Sequence, residues 1–313
     1  MKLSIVSTLY RTAPHLEEFC RRAGVAARRL AADDYEIVLV NDGSPDNSLE
    51  LAISLHEADS HMVVIDLSRN FGHHKAMMTG LAHARGEQVF LIDSDLEEKP
   101  EWLLSFAEQM GREQPDVVYG VQARRKGGIF ERWSGFAFYR LLRLLTRLDL
   151  PDNIVVARLM TRRFVNALLQ HDEREVFMAG LWVITGFAQR PQVITKTDTS
   201  PTTYTFRRKV SQLVNSVTSF SNAPLTGIFY IGVIISLLAV TYTGYLFVNR
   251  LFFFKPLVGW TSVMASIWLL GGFIISFIGI VGIYLSKVFS ETKRRPYTVV
   301  RQIYRQQSKK EGP

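Results

Sequence analysis

Short, almost unbroken apolar runs rich in β-branched residues recur in the first part of the chain, at Leu3 to Leu9, Tyr35 to Val40, Met62 to Leu67, Gln88 to Ile92 and Asp116 to Val121. Between them lie stretches with helical spacing of apolar positions, at His15 to Leu30, Asp46 to His56, His73 to Ala84 and Glu101 to Met110. Continuously apolar strands alternating with helices predict an α/β domain built on a parallel sheet covered on both faces. Ligands of such sheets gather beyond the carboxyl ends of the strands. The residues expected at that rim are Thr8 and Tyr10, Asn41 to Ser44, Ser68 to Gly72, and Asp93 to Glu97.

The second half of the chain carries a different pattern. No charged residue occurs from Val210 to Asn249 or from Pro256 to Ser286. Within these stretches Leu225 to Val248 and Thr261 to Leu285 each exceed the roughly 20 apolar residues that cross a bilayer core. Two transmembrane helices are predicted; the alternative, a pair of buried core helices, rarely lacks every charge over such a length. Arg207, Arg208 and Lys209 precede the first span and Lys287, Lys293, Arg294 and Arg295 follow the second, whereas the connector holds only Arg250 and Lys255. That asymmetry predicts a multi-pass membrane protein with the soluble domain and both chain ends in the cytosol.

Two further amphipathic segments surround this anchor. In Ile129 to Leu148, Arg140, Arg143 and Arg147 share one face of an otherwise apolar helix, which fits either an interfacial helix or a core helix with solvated arginines. Val210, Leu213, Val214, Val217 and Phe220 form a second apolar stripe leading into the first span. The predicted division is a soluble domain at 1–206, an amphipathic juxtamembrane helix at 207–222, a two-helix anchor at 223–288 and a basic cytosolic tail at 289–313. Gly232 with Ser236, and Gly272 with Ser276 and Gly279, have the small-residue spacing that permits close packing within the hairpin or between protomers of a homo-oligomer.

Charge reinforces the membrane reading. The formal net charge of the 313 residues is +8, and from Lys287 onward eight Lys or Arg oppose Glu291 and Glu311, which is +6. A surplus placed there favours anionic lipid headgroups over nucleic acid, for which no reader motif is present. The one cysteine, Cys20, excludes an intramolecular disulfide.

Two turns carry the candidate chemistry. Asp93-Ser94-Asp95-Leu96-Glu97 follows an apolar strand, and if the extended backbone continues, the three acidic side chains point the same way. Such a group suits Mg²⁺ or Mn²⁺ shared with substrate phosphates, though an acidic solvated loop has the same sequence signature. In Asn41-Asp42-Gly43-Ser44 the carboxylate of Asp42 can accept hydrogen bonds from a nucleobase or ribose; an ordinary strand-to-helix turn is the alternative. His73-His74 sits at a predicted helix start and serves either as a polar cap region or as a donor-side contact.

In order along the chain, Val38-Leu-Val-Asn-Asp42-Gly-Ser, Leu67-Ser-Arg-Asn-Phe-Gly72, Leu91-Ile-Asp-Ser-Asp95-Leu, Val117-Val-Tyr-Gly120, Arg158-Leu, Ser219-Phe-Ser221, Pro224-Leu225 and the two spans resemble family 2 inverting glycosyltransferases. The similarity is to the polyprenyl-phosphate branch, the bactoprenol glucosyltransferases and dolichol-phosphate mannose synthases. It implies a GT-A nucleotide-sugar-binding, Rossmann-like domain followed by two C-terminal transmembrane helices. By the same resemblance Thr8, Tyr10, Asp42, Asp93 and Ser94 would bind the nucleotide, and Asn70 and Lys75 the donor sugar. Asp95 would be the principal metal ligand, with Asp93 and Glu97 beside it. Asp95 and Arg158 would be catalytic, and Arg124 and Arg158 would hold the acceptor phosphate.

Three departures from the family pattern narrow the chemistry to be expected. Thr8-Leu-Tyr10-Arg11-Thr12 replaces a usual Pro-x-Tyr-Asn-Glu, Gln122 replaces a frequent arginine, and Val156 stands where relatives often carry an aspartate. A missing base matters for a hydroxyl acceptor, since general-base help is typically worth about 10² to 10⁴ in rate. It matters little for a lipid phosphate, whose second pKa near 6 leaves it largely dianionic at neutral pH. The expected reaction is transfer of one sugar from a nucleotide donor, UDP-linked by preference, to undecaprenyl phosphate for cell-surface polysaccharide or O-antigen modification. Asp152 is a further carboxylate that could stand in for the missing one. The rival readings are transfer to a hydroxyl-bearing lipid or lipid-linked oligosaccharide, and a non-catalytic membrane adaptor that retains the fold.

Overall fold

The computed structural model describes residues 1–122, 145, 151, 153–196, 217–218, 221–253 and 259–306. The chain divides into two compact units: Met1–Tyr139 with Leu148–Tyr204 and Arg295–Pro313, and Arg140–Arg147 with Thr205–Arg294.

In the first unit eight strands form one sheet: β1 Leu3–Leu9, β2 Tyr35–Asn41, β3 Met62–Leu67, β4 Gln88–Leu91, β5 Val117–Gln122, β6 Ile154–Thr161, β7 Gln189–Ile194 and β8 Val300–Tyr304. Their order is β7-β5-β6-β4-β1-β2-β3-β8. The first four strands are mutually parallel, as the apolar runs predict. The sheet as a whole is mixed, because β6 runs antiparallel to both β4 and β5, and β8 antiparallel to β3. An all-parallel sheet was the expectation from the first 121 residues; the reversing strands arise beyond them, in segments whose polar and apolar positions alternate less clearly.

The helices of this unit are α1 Ala13–Ala31, α2 Ser48–Ala58, α3 His73–His83, α4 Trp102–Glu113, α5 Arg162–Leu168 and α6 Met178–Ile184. Alternation along β1 sorts them onto two faces. Leu3, Ile5 and Leu9 join Leu16, Phe19 and Ala23 of α1 and Phe106 of α4 in one core. On the opposite face α3 lies so close to the sheet that a Cβ on Gly80 would meet Val6 Cγ1 at 2.5 Å and Val40 Cγ2 at 2.9 Å. A residue without a side chain is what permits that approach. Phe90 of β4 is fully buried and meets Phe106 edge-on, with ring centroids 5.9 Å apart. β1 is flanked by β2, reached through α1, and by β4, reached through α3. The connections thus diverge at the carboxyl end of β1, which opens a crevice there.

The second unit contains α7 Ala223–Phe253 and α8 Trp260–Thr292. Segments Ala223–Tyr242 and Ser266–Thr292 are long and apolar enough to cross a membrane, each with mean hydropathy 2.2 and no burial against protein. Thr241 donates to the Leu237 carbonyl and Ser276 to that of Gly272, which satisfies these two hydroxyls within their own helices as an apolar surround demands. The amphipathic segments expected at Ile129 to Leu148 and at 207–222 lie almost wholly outside the described residues. The segment expected to be a basic tail is different: Val300–Tyr304 is a strand of the first unit's sheet, and Arg295–Pro313 groups with that unit. Its charges hid this, since Arg301 and Arg305 point to carboxylates of the domain instead of serving only as a solvated basic stretch.

Candidate active site

The four predicted rim segments do converge beyond β1, β2, β3 and β4. Thr8 Oγ1 lies 2.9 Å from His73 Nδ1, and His73 Nε2 lies 3.3 Å from Asp93 Oδ1. Ser94 Oγ donates to the Thr8 carbonyl at 2.8 Å. Thr8, His73, Asp93 and Ser94 therefore form one connected set across β1, the start of α3 and the turn after β4. Burial works against a charge on His73, but the Asp93 hydrogen bond and the negative field of Asp93, Asp42 and Glu98 outweigh it and raise its pKa. As a cation, His73 donates from both ring nitrogens, which fits Thr8 on one side and Asp93 on the other. Its neighbour His74 is shifted the other way, by burial and by His73 itself, and its Nδ1 lies 3.2 Å from the Val176 carbonyl.

Asp42 is buried, and its two oxygens accept the backbone N–H of Phe71 at 2.7 Å and of Gly72 at 3.0 Å. The carboxylate expected to face a nucleobase is thus occupied in fixing the β3–α3 loop, and it shapes the pocket through that loop. Gly43 completes this junction: its φ is +58° and a Cβ would meet the Asn70 nitrogen at 2.5 Å and the Arg69 carbonyl carbon at 2.6 Å. Asn70 is exposed on the loop and Lys75 is half-buried in the first turn of α3. Tyr10 is 46% exposed at the mouth, with the Arg11 guanidinium 5.6 Å from its ring centroid and the Arg11 N–H bonded to Ser44 Oγ at 2.7 Å.

The acidic turn departs from the extended geometry assumed for it. β4 ends at Leu91, and Asp95 Oδ1 accepts the Glu97 N–H at 3.0 Å in a local turn with Leu96 at φ 61°. Strand alternation is lost, so Glu97 does not simply align with Asp93 and Asp95. Its carboxylate lies 3.9 Å from Lys196 Nζ. The next residue, Glu98, is fully buried, 3.1 Å from Lys196 Nζ, and accepts the Val156 N–H at 3.1 Å. Burial, followed by the charge of Asp93, pushes its carboxyl up to about 7 against the pull of Lys196. Asp95 is raised for the same two reasons, burial first and Asp93 second. Lys196 is held charged, because Glu98 more than offsets the effect of its burial.

Arg158 is the second departure. Its guanidinium is entirely buried, donating to the Val156 and Val155 carbonyls at 3.2 Å each and stacked on Trp182. Burial carries its pKa well below the ordinary range, opposed by Glu98. So placed, it braces the β6 backbone around Val156, while its Nη1 has no hydrogen-bond partner among the described residues. Arg124 and Asp152 lie outside the described residues. Glu98 and Lys196 were not singled out in the sequence. Glu98 reads as one more charge beside Glu97, and Lys196 reaches the turn only because β7 pairs with β5 in parallel.

Asp93, Asp95 and Glu97 outnumber His73 and Lys196, while Glu98 is drawn toward its neutral form by burial and by Asp93 and lies in the field of Arg158. A divalent cation would neutralise the surplus. Among the described residues no group of three or more His, Cys, Asp or Glu is arranged to hold a metal by itself. A hard cation held here would need further ligands, such as the oxygens of a substrate diphosphate, and Asp93 and Asp95 are the carboxylates that could contribute.

Residues 4–169 match the family model described as Glycosyl transferase family 2. The chain is 53% identical over 304 residues, 97% of its length and 89% of the relative's, to a protein of Mycobacterium tuberculosis (strain CDC 1551 / Oshkosh) named among putative glycosyltransferases. It is 29% identical, over 97% of its length and 94% of the relative's, to the undecaprenyl-phosphate 4-deoxy-4-formamido-L-arabinose transferase of Klebsiella pneumoniae (strain 342). Among solved structures, S. aureus TarS 1-349 in complex with UDP-GlcNAc is similar at 17% identity and a TM-score of 0.47, covering 70% of this chain and 66% of that one. The mixed α/β sheet with its acidic rim is GT-A-like, and the chain is a glycosyltransferase that belongs to glycosyl transferase family 2.

Proposed function

We propose that this enzyme transfers a single sugar from a nucleotide donor, UDP-linked by preference, to undecaprenyl phosphate with inversion at the anomeric carbon. The observation that carries the reading is the presence, on one chain, of a carboxylate rim that could take a metal-bound nucleotide diphosphate and two long apolar helices left unburied by the described residues. The similarity to a relative named for undecaprenyl phosphate, which extends over the helices as well as the domain, supports the same acceptor.

In this reading an oxygen of the lipid phosphate attacks the anomeric carbon, the bond to the nucleotide diphosphate breaks, and the nucleoside diphosphate departs with the electron pair. The phosphate oxygen carries no proton that must leave, so Val156 in place of a carboxylate is compatible with turnover. Asp93 and Asp95 would hold Mg²⁺ or Mn²⁺, which supplies charge stabilisation at the leaving diphosphate when bound. Thr8, Ser94 and His73 fix Asp93, while Asp42 and Gly43 set the loop carrying Asn70 toward the donor, with Lys75 following on α3. The helices would make the enzyme multi-pass in the bacterial inner membrane, with domain and chain ends cytosolic and basic flanks on membrane lipids. The product would serve cell-surface polysaccharide modification, O-antigen decoration included.

The test is a donor panel on the purified full-length protein in detergent, with undecaprenyl phosphate and Mg²⁺ or Mn²⁺, read by the mass of the lipid product. A sugar added to undecaprenyl phosphate from one nucleotide sugar is the expected result. Transfer to hydroxyl lipids alone would overturn the acceptor assignment.

A further inference from the structure

We propose that the C-terminal strand β8 is a positioning element of the donor site and that Arg301 is its working residue. The inference rests on the donor reading of the proposed function. β8 pairs antiparallel with β3, Ile65 opposite Ile303 and Asp66 opposite Gln302, and the register shifts between Asp66 and Leu67. Just past that irregularity the donor loop begins, and its first residue, Ser68, donates its N–H to the Val299 carbonyl at 2.9 Å. Arg301 then reaches two points at once: Nη2 to the Ser68 carbonyl at 2.7 Å and Nη1 to Asp66 Oδ2 at 3.1 Å.

Asp66 passes the restraint onward. It is buried, and its other oxygen accepts from Asn41 Nδ2 at 2.8 Å; Asn41 Oδ1 in turn accepts the Ser44 N–H at 3.2 Å. Arg301 therefore holds the start of the Ser68–Gly72 loop directly and the Asn41–Ser44 turn through Asp66. The far end of that loop is held by Asp42. Both donor turns are thus braced from outside the pocket by a residue that never enters it. β8 itself is fastened at its flanks by Thr298 to Thr79 at 2.8 Å and by Arg305 to Glu36 at 3.4 Å. Only residues 293–299 separate it from Thr292, the end of α8, so the same short stretch of chain that leaves the apolar helix carries the brace.

The test uses full-length protein in detergent and compares Arg301→Ala and Arg301→Lys with Arg163→Ala, an exposed arginine paired to Asp116 far from this loop. Hydrogen exchange of the Ser68–Gly72 amides needs no nucleotide; it is expected to quicken in Arg301→Ala and to stay unchanged in Arg163→Ala. Donor KM is expected to rise about five- to tenfold with kcat within about twofold, the size of one charge-assisted contact at a half-exposed site, and Arg301→Lys should recover part of it. Unchanged exchange at 68–72 in Arg301→Ala overturns the brace whatever the nucleotide does. Quickened exchange with donor KM unmoved overturns the positioning role. Wild-type protein that binds no nucleotide at all overturns the donor reading itself.

Discussion

Replacing Glu98 by Gln isolates the cost of holding a carboxylate in the interior next to the acidic turn. Glu98 is fully buried; one oxygen meets Lys196 and the Val156 N–H, and the other has no hydrogen-bond partner among the described residues. Burial, reinforced by Asp93, moves its carboxyl from an ordinary 4.5 to about 7. At about 1.4 kcal/mol per pKa unit, ionising it in the folded protein costs about 3 kcal/mol relative to the unfolded chain. The folded state binds this proton more tightly than the unfolded state. The associated stability is therefore complete below 4.5, is lost as pH climbs toward about 7, and stays lost above it. Glutamine has no such proton, so Glu98→Gln should flatten this part of the profile. About 0.8 kcal/mol of that cost is already incurred at pH 5, leaving about 2.5 kcal/mol between pH 5 and pH 8; at roughly 2–4 °C of melting temperature per kcal/mol for a domain of this size, the difference is roughly 5–10 °C. His73, whose raised pKa also makes stability fall with rising pH, keeps the contributions of Asp93 and Asp42 in both proteins and loses only the smaller one of Glu98 in the variant, which flattens the variant's profile in the same direction. The assay is thermal unfolding of the full-length protein in detergent with EDTA, followed by tryptophan fluorescence. Identical pH profiles for the two proteins, within about 1 °C, would refute the assignment of a buried titrating carboxyl to Glu98.

Further expectations can be checked separately. Asp95→Asn should lower transfer by at least about 10²-fold and weaken its Mg²⁺ or Mn²⁺ dependence with little change in melting temperature, since in the proposed function the residue would act through a cation and not through packing; a metal titration of activity reads this out. Gly43→Ala puts a Cβ against the backbone of Arg69 and Asn70 at a positive φ, so it should cost about 1–3 kcal/mol and raise donor KM, measured by melting and steady-state kinetics. Phe90→Ala removes a fully buried ring from the edge-on pair with Phe106 and should cost about 3–5 kcal/mol without altering donor KM in the fraction that remains folded.

Much of the scaffold is written locally. Strands β1 to β5 and helices α1 to α4 follow from apolar runs and helical spacing within a few residues of their ends, and the two apolar helices follow from length without charge. Period and composition are properties of neighbouring residues, so a linear reading captures them. The rim was legible for the same reason, because its position at strand ends is inherited from the strands. What linear reading could not reach are relations between distant residues. The sequence places Lys196 about a hundred residues from Glu98 and Arg301 far beyond Ser68; only the pairing of β7 with β5 and of β8 with β3 makes them neighbours. Burial decides the rest. Arg158 and Asp42 carry charges that suggest ligand contacts, yet one is enclosed against Trp182 and the other is engaged by two backbone amides, because a desolvated polar group must find partners inside the fold. The amino-acid order thus determined the family, the strand and helix frame and the two long apolar helices. Tertiary packing determined which charged groups remain available to a ligand and which hold the pocket in shape.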